Sequence, residues 1–175
     1  MKLQKATVKD MPAIMDIIAA AQHHLAFQKI DQWQDGYPSE KQIRTDIENQ
    51  QSYIVVEQNV IIGTTVLMVQ PEPSYQKITG SWITATNNCY GVIHRLAIAN
   101  KHRRSGVAKF VVDAFETMIK NHEKAISIRI DTHPQNVGMI NLLNNNHFQH
   151  CGGIYLENGD YRLAFEKVMD GQEFG

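Results

Sequence analysis

Residues 103–108 read Arg-Arg-Ser-Gly-Val-Ala and follow the apolar run Val-Ile-His-Arg-Leu-Ala-Ile at 92–98. The order is a strand, a short basic turn and a helix. Val107, Val111, Ala114, Phe115 and Met118 recur at helical spacing and give that helix an apolar stripe. Gly106 at its start lets main-chain N–H groups come close to a ligand. The helix N-terminus adds partial positive charge, so such a turn can hold a pyrophosphate. Lys101, Arg103, Arg104 and Lys109 surround it with formal charge. An ordinary strand-to-helix turn with a solvated basic rim would carry the same residues, so the turn alone does not decide the matter.

Other reactive types lie nearby in sequence. Histidine is a residue type suited to general-base work, and strand alternation places Val92, His94 and Leu96 on one face. Arg95 points to the opposite face and reads as structural. Trp33 and Tyr37 share a loop and offer apolar faces with polar tips, which suits either a binding wall or a lid packed on the core. His147, His150 and Cys151 look like part of a metal cluster, but no second cluster completes four ligands. No metal is expected. His23 and His24 read as solvated.

The elements that must position these residues are legible as an alternation of strands and helices. Residues 3–7 form a short first strand, and Thr7 with Asp10 makes a capping box ahead of Pro12. Ile14, Ile17, Ile18, Ala21 and Leu25 mark the buried face of a first helix. After the aromatic loop, Ser39 caps a second helix carrying Ile43 and Ile47. Residues 53–57 and 60–69 are β-branched runs split by Gln58-Asn59, a hairpin. A polar connection from Pro71 follows and includes Gly80 and Trp82. Beyond the central turn and helix come a strand at 126–132, a helix containing Met139, Leu142 and Leu143, and two strands around Asn158-Gly159. The tail from Met169 is polar and reads as frayed. The whole is one α/β domain over residues 1–175, its sheet mostly antiparallel at both ends because of the hairpins.

Composition bounds the function. The 175 residues are 43% hydrophobic and 20% charged, which is globular. Lys+Arg 17 against Asp+Glu 18 leaves a net charge of −1, which disfavours nucleic acid as a partner. No run approaches about 20 apolar residues, so no membrane span is expected. The N-terminus lacks the apolar core of a secretory signal. Cys89 and Cys151, unpaired in any metal-like spacing, fit reduced thiols in the cytoplasm.

The central turn resembles the Arg/Gln-x-x-Gly-x-Gly/Ala motif of the GNAT-superfamily acyltransferases, with Arg103, Gly106 and Ala108 in its three defining positions. The family's next element, an Asn, a helix and then Gly-Phe, is matched by Asn136, the helix through Leu143, and Phe148, with His147 where the Gly usually stands. The resemblance covers residues 92–166. It implies a mixed, mostly antiparallel twisted sheet flanked by about four helices, with a splayed central strand pair. It also implies an acetyl-CoA-dependent N-acetyltransferase acting on a primary amine by direct attack in a ternary complex. A catalytically weak CoA-binding sensor is the alternative.

In the family, pantetheine lies along the strand before the turn. That assigns main-chain contacts to Leu96, Ala97 and Ile98, with the Leu96 N–H as donor to the thioester carbonyl. The pyrophosphate falls to Arg103, Arg104, Ser105, Gly106, Val107, Ala108 and Lys109. Asn136 matches the residue that bonds the pantetheine arm, although it also suits a plain helix cap. The family's frequent Glu base is replaced by Val92 and His94, so His94 is the base candidate, although a histidine hydrogen-bonded within the sheet would read the same. Its usual Tyr acid falls at Leu143; Tyr155 is the candidate substitute, although an aromatic there also suits packing. Trp33 and Tyr37 are expected to line the acceptor pocket, and a homodimer is common in the family.

Overall fold

A computed structural model describes residues 1–85 and 87–169. The expected frayed tail at 170–175 lies outside them. Met169, grouped with that tail from its sequence, is buried and donates its N–H to the Ile126 carbonyl. The chain forms two compact units interleaved in sequence: Met1–Leu67 with His94–Val112, and Met68–Ile93 with residues 113 onward.

The first unit begins with β1 (Lys2–Lys5) and α1 (Met11–Phe27). The predicted capping box forms, with the Asp10 carboxylate accepting from both the Thr7 N–H and the Thr7 hydroxyl at 2.8 Å. Ile14, Ile17, Ile18, Ala21 and Leu25 are buried as their spacing predicts. Ser39 caps α2 (Glu40–Glu48) by accepting from the Gln42 N–H at 3.2 Å. β2 (Ser52–Glu57) and β3 (Val60–Val69) pair antiparallel across the Gln58-Asn59 turn, and both turn residues have positive φ, as a tight hairpin turn requires. Ala6, Met11, Ile14, Ile18, Ile43, Ile47 and Ile54 form one core cluster of this unit.

β5 (Tyr90–Ile98) and α3 (Val107–Lys120) each contribute to both units. The second unit also holds β4 (Thr79–Gly80), β6 (Ser127–Thr132), α4 (Val137–Asn145), β7 (Gln149–Tyr155) and β8 (Tyr161–Val168). Hydrogen-bonded neighbours run β1-β2-β3-β5-β6-β8-β7-β4. The sheet is thus mixed and mostly antiparallel, with β5 and β6 parallel. The β5–β6 ladder runs only from Tyr90↔Ser127 to Val92↔Arg129, although β6 continues to Thr132 in register with β8.

Two expectations are corrected here. On α3 the buried stripe is Val107, Val111, Val112, Phe115 and Ile119, whereas Met118 is exposed. The 3.6-residue period carries the stripe from Phe115 to the residue four positions on, and Gly91 leaves room there: a Cβ on it would lie 2.6 Å from the Ile119 side chain. The connection after Pro71 is not simply polar surface. Tyr75 and Trp82 are buried, β4 pairs with β7, and each buried ring satisfies its polar tip. The Tyr75 hydroxyl donates to Asp131 at 2.8 Å and the Trp82 indole to the Tyr75 carbonyl at 3.0 Å.

That connection is fastened by a buried ion pair. Arg129 and Glu166 are both fully buried, with Nε to Oε1 at 3.0 Å. Glu166 also accepts from Ile83 N at 2.6 Å, Thr84 N at 3.1 Å, Thr84 Oγ1 at 2.5 Å and Ser127 Oγ at 2.6 Å. The guanidinium lies 4.0 Å from the Tyr90 ring centroid and 4.4 Å from that of Trp82.

Candidate active site

The first unit brings most of the sequence-predicted residues together. β5 leads through Asn100–His102, a 3-10 turn, into α3, and the chain reverses over residues 103–106. Arg104 has φ +62° and Gly106 φ +85°. At Gly106 a left-handed backbone is what glycine adopts without strain. A Cβ built there would meet nothing within 4 Å, so the space in front of the turn is open to a ligand. The Phe110 N–H bonds the Gly106 carbonyl at 2.9 Å, which starts the helical ladder. Helix geometry leaves the N–H groups of the preceding turn without intrahelical acceptors, a site suited to an anion.

Lys101, Arg104, Ser105 and Lys109 are exposed around this opening, Ala108 is half-buried, and Val107 is buried in the core. The Ser105 hydroxyl donates to the His102 carbonyl at 2.6 Å and tightens the turn. Arg103 differs from its neighbours. Its Nη2 reaches the Ala20 carbonyl of α1 at 3.4 Å, and burial lowers its pKa. The side chain anchors the turn to α1 while the rest of the rim stays outward. His24, read as solvated, is exposed on α1 but faces this rim. Its pKa is lowered by partial burial and then by the Arg103 and Arg104 charges.

Gly63 lets the sheet close behind the turn: a Cβ there would sit 3.0 Å from Ile98 and 3.4 Å from the Ala97 carbonyl. Ala97 is buried with Ile17 and Ala21, and Trp33 packs against that cluster. Trp33 is therefore half-buried against the core, with φ +64°. Tyr37 is exposed; its carbonyl accepts from the Gln22 side chain at 2.9 Å and its N–H donates to Asp35 at 3.1 Å.

The strand itself holds the main departure from expectation. Arg95 has φ +53° and is not extended. Regular alternation is broken there, so the argument that His94 and Leu96 share a face no longer follows from spacing. His94 and Leu96 are both half-buried, and the His94 carbonyl accepts from the Thr65 hydroxyl at 3.1 Å. Arg95 Nη1 pairs with Asp46 Oδ2 at 3.3 Å, and its guanidinium lies 5.4 Å from the Tyr37 ring centroid. Sequence reasoning passed over Asp46. The signal was present: Ile43, Asp46 and Ile47 fall at i, i+3 and i+4, which puts a carboxylate on the apolar face of α2.

Asn136 and Tyr155 lie in the second unit. Asn136 caps α4, its Oδ1 accepting from the Met139 N–H at 3.1 Å. Leu143 is fully buried core. Tyr155 is exposed at the end of β7, edge-on to Tyr161 at 5.4 Å, beside a groove that also involves Ser74, Lys77 and Glu157. His147 has φ +63°, which explains the family's Gly at that position. Among the described residues, no group of three or more His, Cys, Asp or Glu is placed to hold a metal ion, and no helix is long and apolar enough to cross a membrane.

The pattern of the acetyltransferase (GNAT) family matches residues 18–148 of this sequence, three quarters of the chain and the whole of the turn just described. The chain belongs to the GNAT acetyltransferase family. Its fold is that of a GNAT-family acetyltransferase from Streptococcus agalactiae, with a TM-score of 0.86 and 31% identity over 99% of this chain and 96% of that one. A GNAT-family acetyltransferase from Listeria monocytogenes has a TM-score of 0.73 at 17% identity, covering 95% and 94%. The yncA protein of Salmonella typhimurium, solved with its cofactor acetyl-CoA, has a TM-score of 0.67 at 14% identity, covering 100% and 97%. Among curated proteins no significant sequence match is found. The chain is accordingly an acetyltransferase of the GNAT type, and the recognition made from residues 103–108 and 136–148 is borne out.

Proposed function

We propose that this GNAT protein transfers the acetyl group of acetyl-CoA to a primary amine by direct attack in a ternary complex. The observation that carries the donor side is Gly106: a left-handed glycine at the start of α3, with open space where a side chain would be and exposed cations around it. The residues fit a pyrophosphate, with the N–H groups of 104–109 as donors and Arg104 and Lys109 as counter-charges. Arg103 serves the same turn by fixing it to α1.

The coenzyme supplies an acetyl thioester, whose C–S bond breaks as the new C–N bond forms. The protein's part is to hold the carbonyl against a donor, take up a proton and shape the acceptor pocket. Leu96 N–H donates to the carbonyl oxygen, a contribution of about 3 kcal/mol for a donor of this kind. Ala97 and Ile98 bind the pantetheine arm through their main chain. An alkylamine with a pKa near ~10.4 must lose a proton before it attacks. His94 takes that proton, directly or through water. The CoA thiolate is a fair leaving group without a protein acid. Trp33 and Tyr37 form the wall of the acceptor pocket.

Two measurements test this. Calorimetry with CoA should show binding largely abolished in Gly106→Glu, because that side chain fills the opening and faces the phosphates; wild-type affinity there would overturn the donor assignment. Thiol release from acetyl-CoA with a panel of amines should then identify the acceptor class; binding of CoA without turnover on any amine would favour a sensor.

A further inference from the structure

The buried charges of the first unit outside the donor turn centre on Asp46. This carboxylate is 4% exposed, on the apolar face of α2 between Ile43 and Ile47. Its Oδ1 accepts from Gln42 Nε2 at 3.0 Å. Its Oδ2 has no hydrogen bond and faces Arg95 Nη1 at 3.3 Å. Arg95 is also largely buried, with its Nε unpartnered. Burial pushes the Asp46 pKa up, and the attractions of Arg95, Gln42 and His94 only partly oppose this. The ionised pair is thus held at a net cost, where an apolar pair of similar volume would pack as well.

What the pair does locally is visible. Arg95 adopts φ +53° in the middle of β5, a conformation a non-glycine residue takes only when its surroundings impose it. From there its guanidinium joins three pieces: Asp46 of α2, the ring of Tyr37 in the aromatic loop, and the strand between His94 and Leu96. The loop is also tied to α1, through Gln22 to the Tyr37 carbonyl and from Gln34 to the Gln22 carbonyl, and Trp33 packs on Ala97 of the strand. Arg95 adds a charged link from the strand to the Tyr37 ring.

We infer that the Asp46–Arg95 pair is a positioning device for the acceptor side, holding the break in β5 and the Tyr37 ring in one fixed arrangement. This rests on the reading of that loop as the acceptor wall. Asp46 and Arg95 act through His94, Leu96 and Tyr37; they are positioning residues. A misplacement of about 1 Å at reacting groups costs on the order of 10²-fold in rate. The donor turn, anchored by Arg103 on α1, does not depend on the pair.

The test uses the full chain and the variants Asp46→Asn, Arg95→Lys, and the double Asp46→Asn with Arg95→Met, which removes both buried charges together so that neither is stranded. Hydrogen exchange in peptides spanning residues 31–38 and 92–98 should speed up roughly tenfold in Asp46→Asn and in the double variant, the factor that corresponds to about 1.4 kcal/mol. With an amine that wild type acetylates, kcat/KM for the amine should fall on the order of 10²-fold, while calorimetric CoA affinity, carried chiefly by the turn at 103–109, changes far less. Arg95→Lys keeps a charge toward Asp46 but loses the planar face toward Tyr37, and should fall between. Unchanged exchange in both peptides overturns the inference, and so does faster exchange with unaltered amine kinetics, because the pair is then merely structural. A loss of CoA affinity as large as the loss in amine kinetics also overturns it. If wild type acetylates no amine, the functional reading fails first and the acceptor role falls with it; the exchange rates still report whether the tether exists.

Discussion

Glu166→Gln is the sharpest available test of the second unit. Both carboxylate oxygens of Glu166 face donors only. Oε2 receives the Ile83 and Thr84 N–H groups at 2.6 and 3.1 Å, and Oε1 receives Thr84 Oγ1, Ser127 Oγ and Arg129 Nε at 2.5, 2.6 and 3.0 Å. An amide of the same shape must turn its NH2 toward donors in either orientation. It also leaves the Arg129 guanidinium, fully buried between two aromatic rings, without its counter-charge. Breaking one partner of a buried pair costs about 3–5 kcal/mol. For a chain of 150–250 residues each kcal/mol moves Tm by about 2–4 °C, so a fall of about 6–20 °C is expected. Calorimetric melting of wild type, Glu166→Gln, Arg129→Met and the double variant would measure it. The double variant should be less destabilised than the sum of the two singles, because neither charge is then stranded. A Glu166→Gln loss under about 1 kcal/mol, or strict additivity, would refute the reasoning.

Other outcomes follow from particular residues. His94→Gln should lower kcat/KM by ~10²–10⁴ at neutral pH and flatten the acidic limb of the pH–rate profile; an unchanged profile would make His94 structural. His147→Gly should raise stability by about 1 kcal/mol in urea unfolding, since it removes a side chain from a left-handed position. The pKa of His24 is lowered first by partial burial and then by the Arg103 and Arg104 charges; a bound pyrophosphate offsets the second cause and should raise it. CoA affinity should then strengthen as pH falls below neutrality, with proton uptake in calorimetry that His24→Ala abolishes. Asp46 has a raised folded pKa, so its favourable term is complete below the ordinary aspartate value and is lost as pH rises through the folded one. Relative to Asp46→Asn, wild type should therefore lose stability as pH rises from the ordinary aspartate value through the raised folded one. Trp33→Ala should raise the acceptor KM with CoA affinity nearly intact; since Trp33 also packs on Ile17, Ala21 and Ala97, a small fall in Tm should accompany it.

Features written in local chemistry were legible in the sequence. Gly106 at the mouth of a helix, the Thr7–Asp10 box, Ser39 as a cap, and the Gln58-Asn59 and Asn158-Gly159 turns each depend on residues within a few positions of one another. Period and cap residues therefore sufficed for the elements and for the donor turn. The buried charges were not legible in the same way. Asp46 acquires its meaning from Arg95, 49 positions away and in a backbone conformation that no propensity of arginine suggests. The Arg129–Glu166 pair lies 37 positions apart inside strands whose apolar neighbours conceal it. Arg103 looked like one more cation on the rim, and only the approach of Ala20 shows that it points inward. A charge's partner is a property of three-dimensional proximity, and its energy depends on how much water the surrounding chain removes. The sequence by itself determined the family, the order of most elements and the glycine-bearing turn that opens α3. The tertiary structure decided which charges are buried, which of them pair, and where strand β5 breaks its alternation.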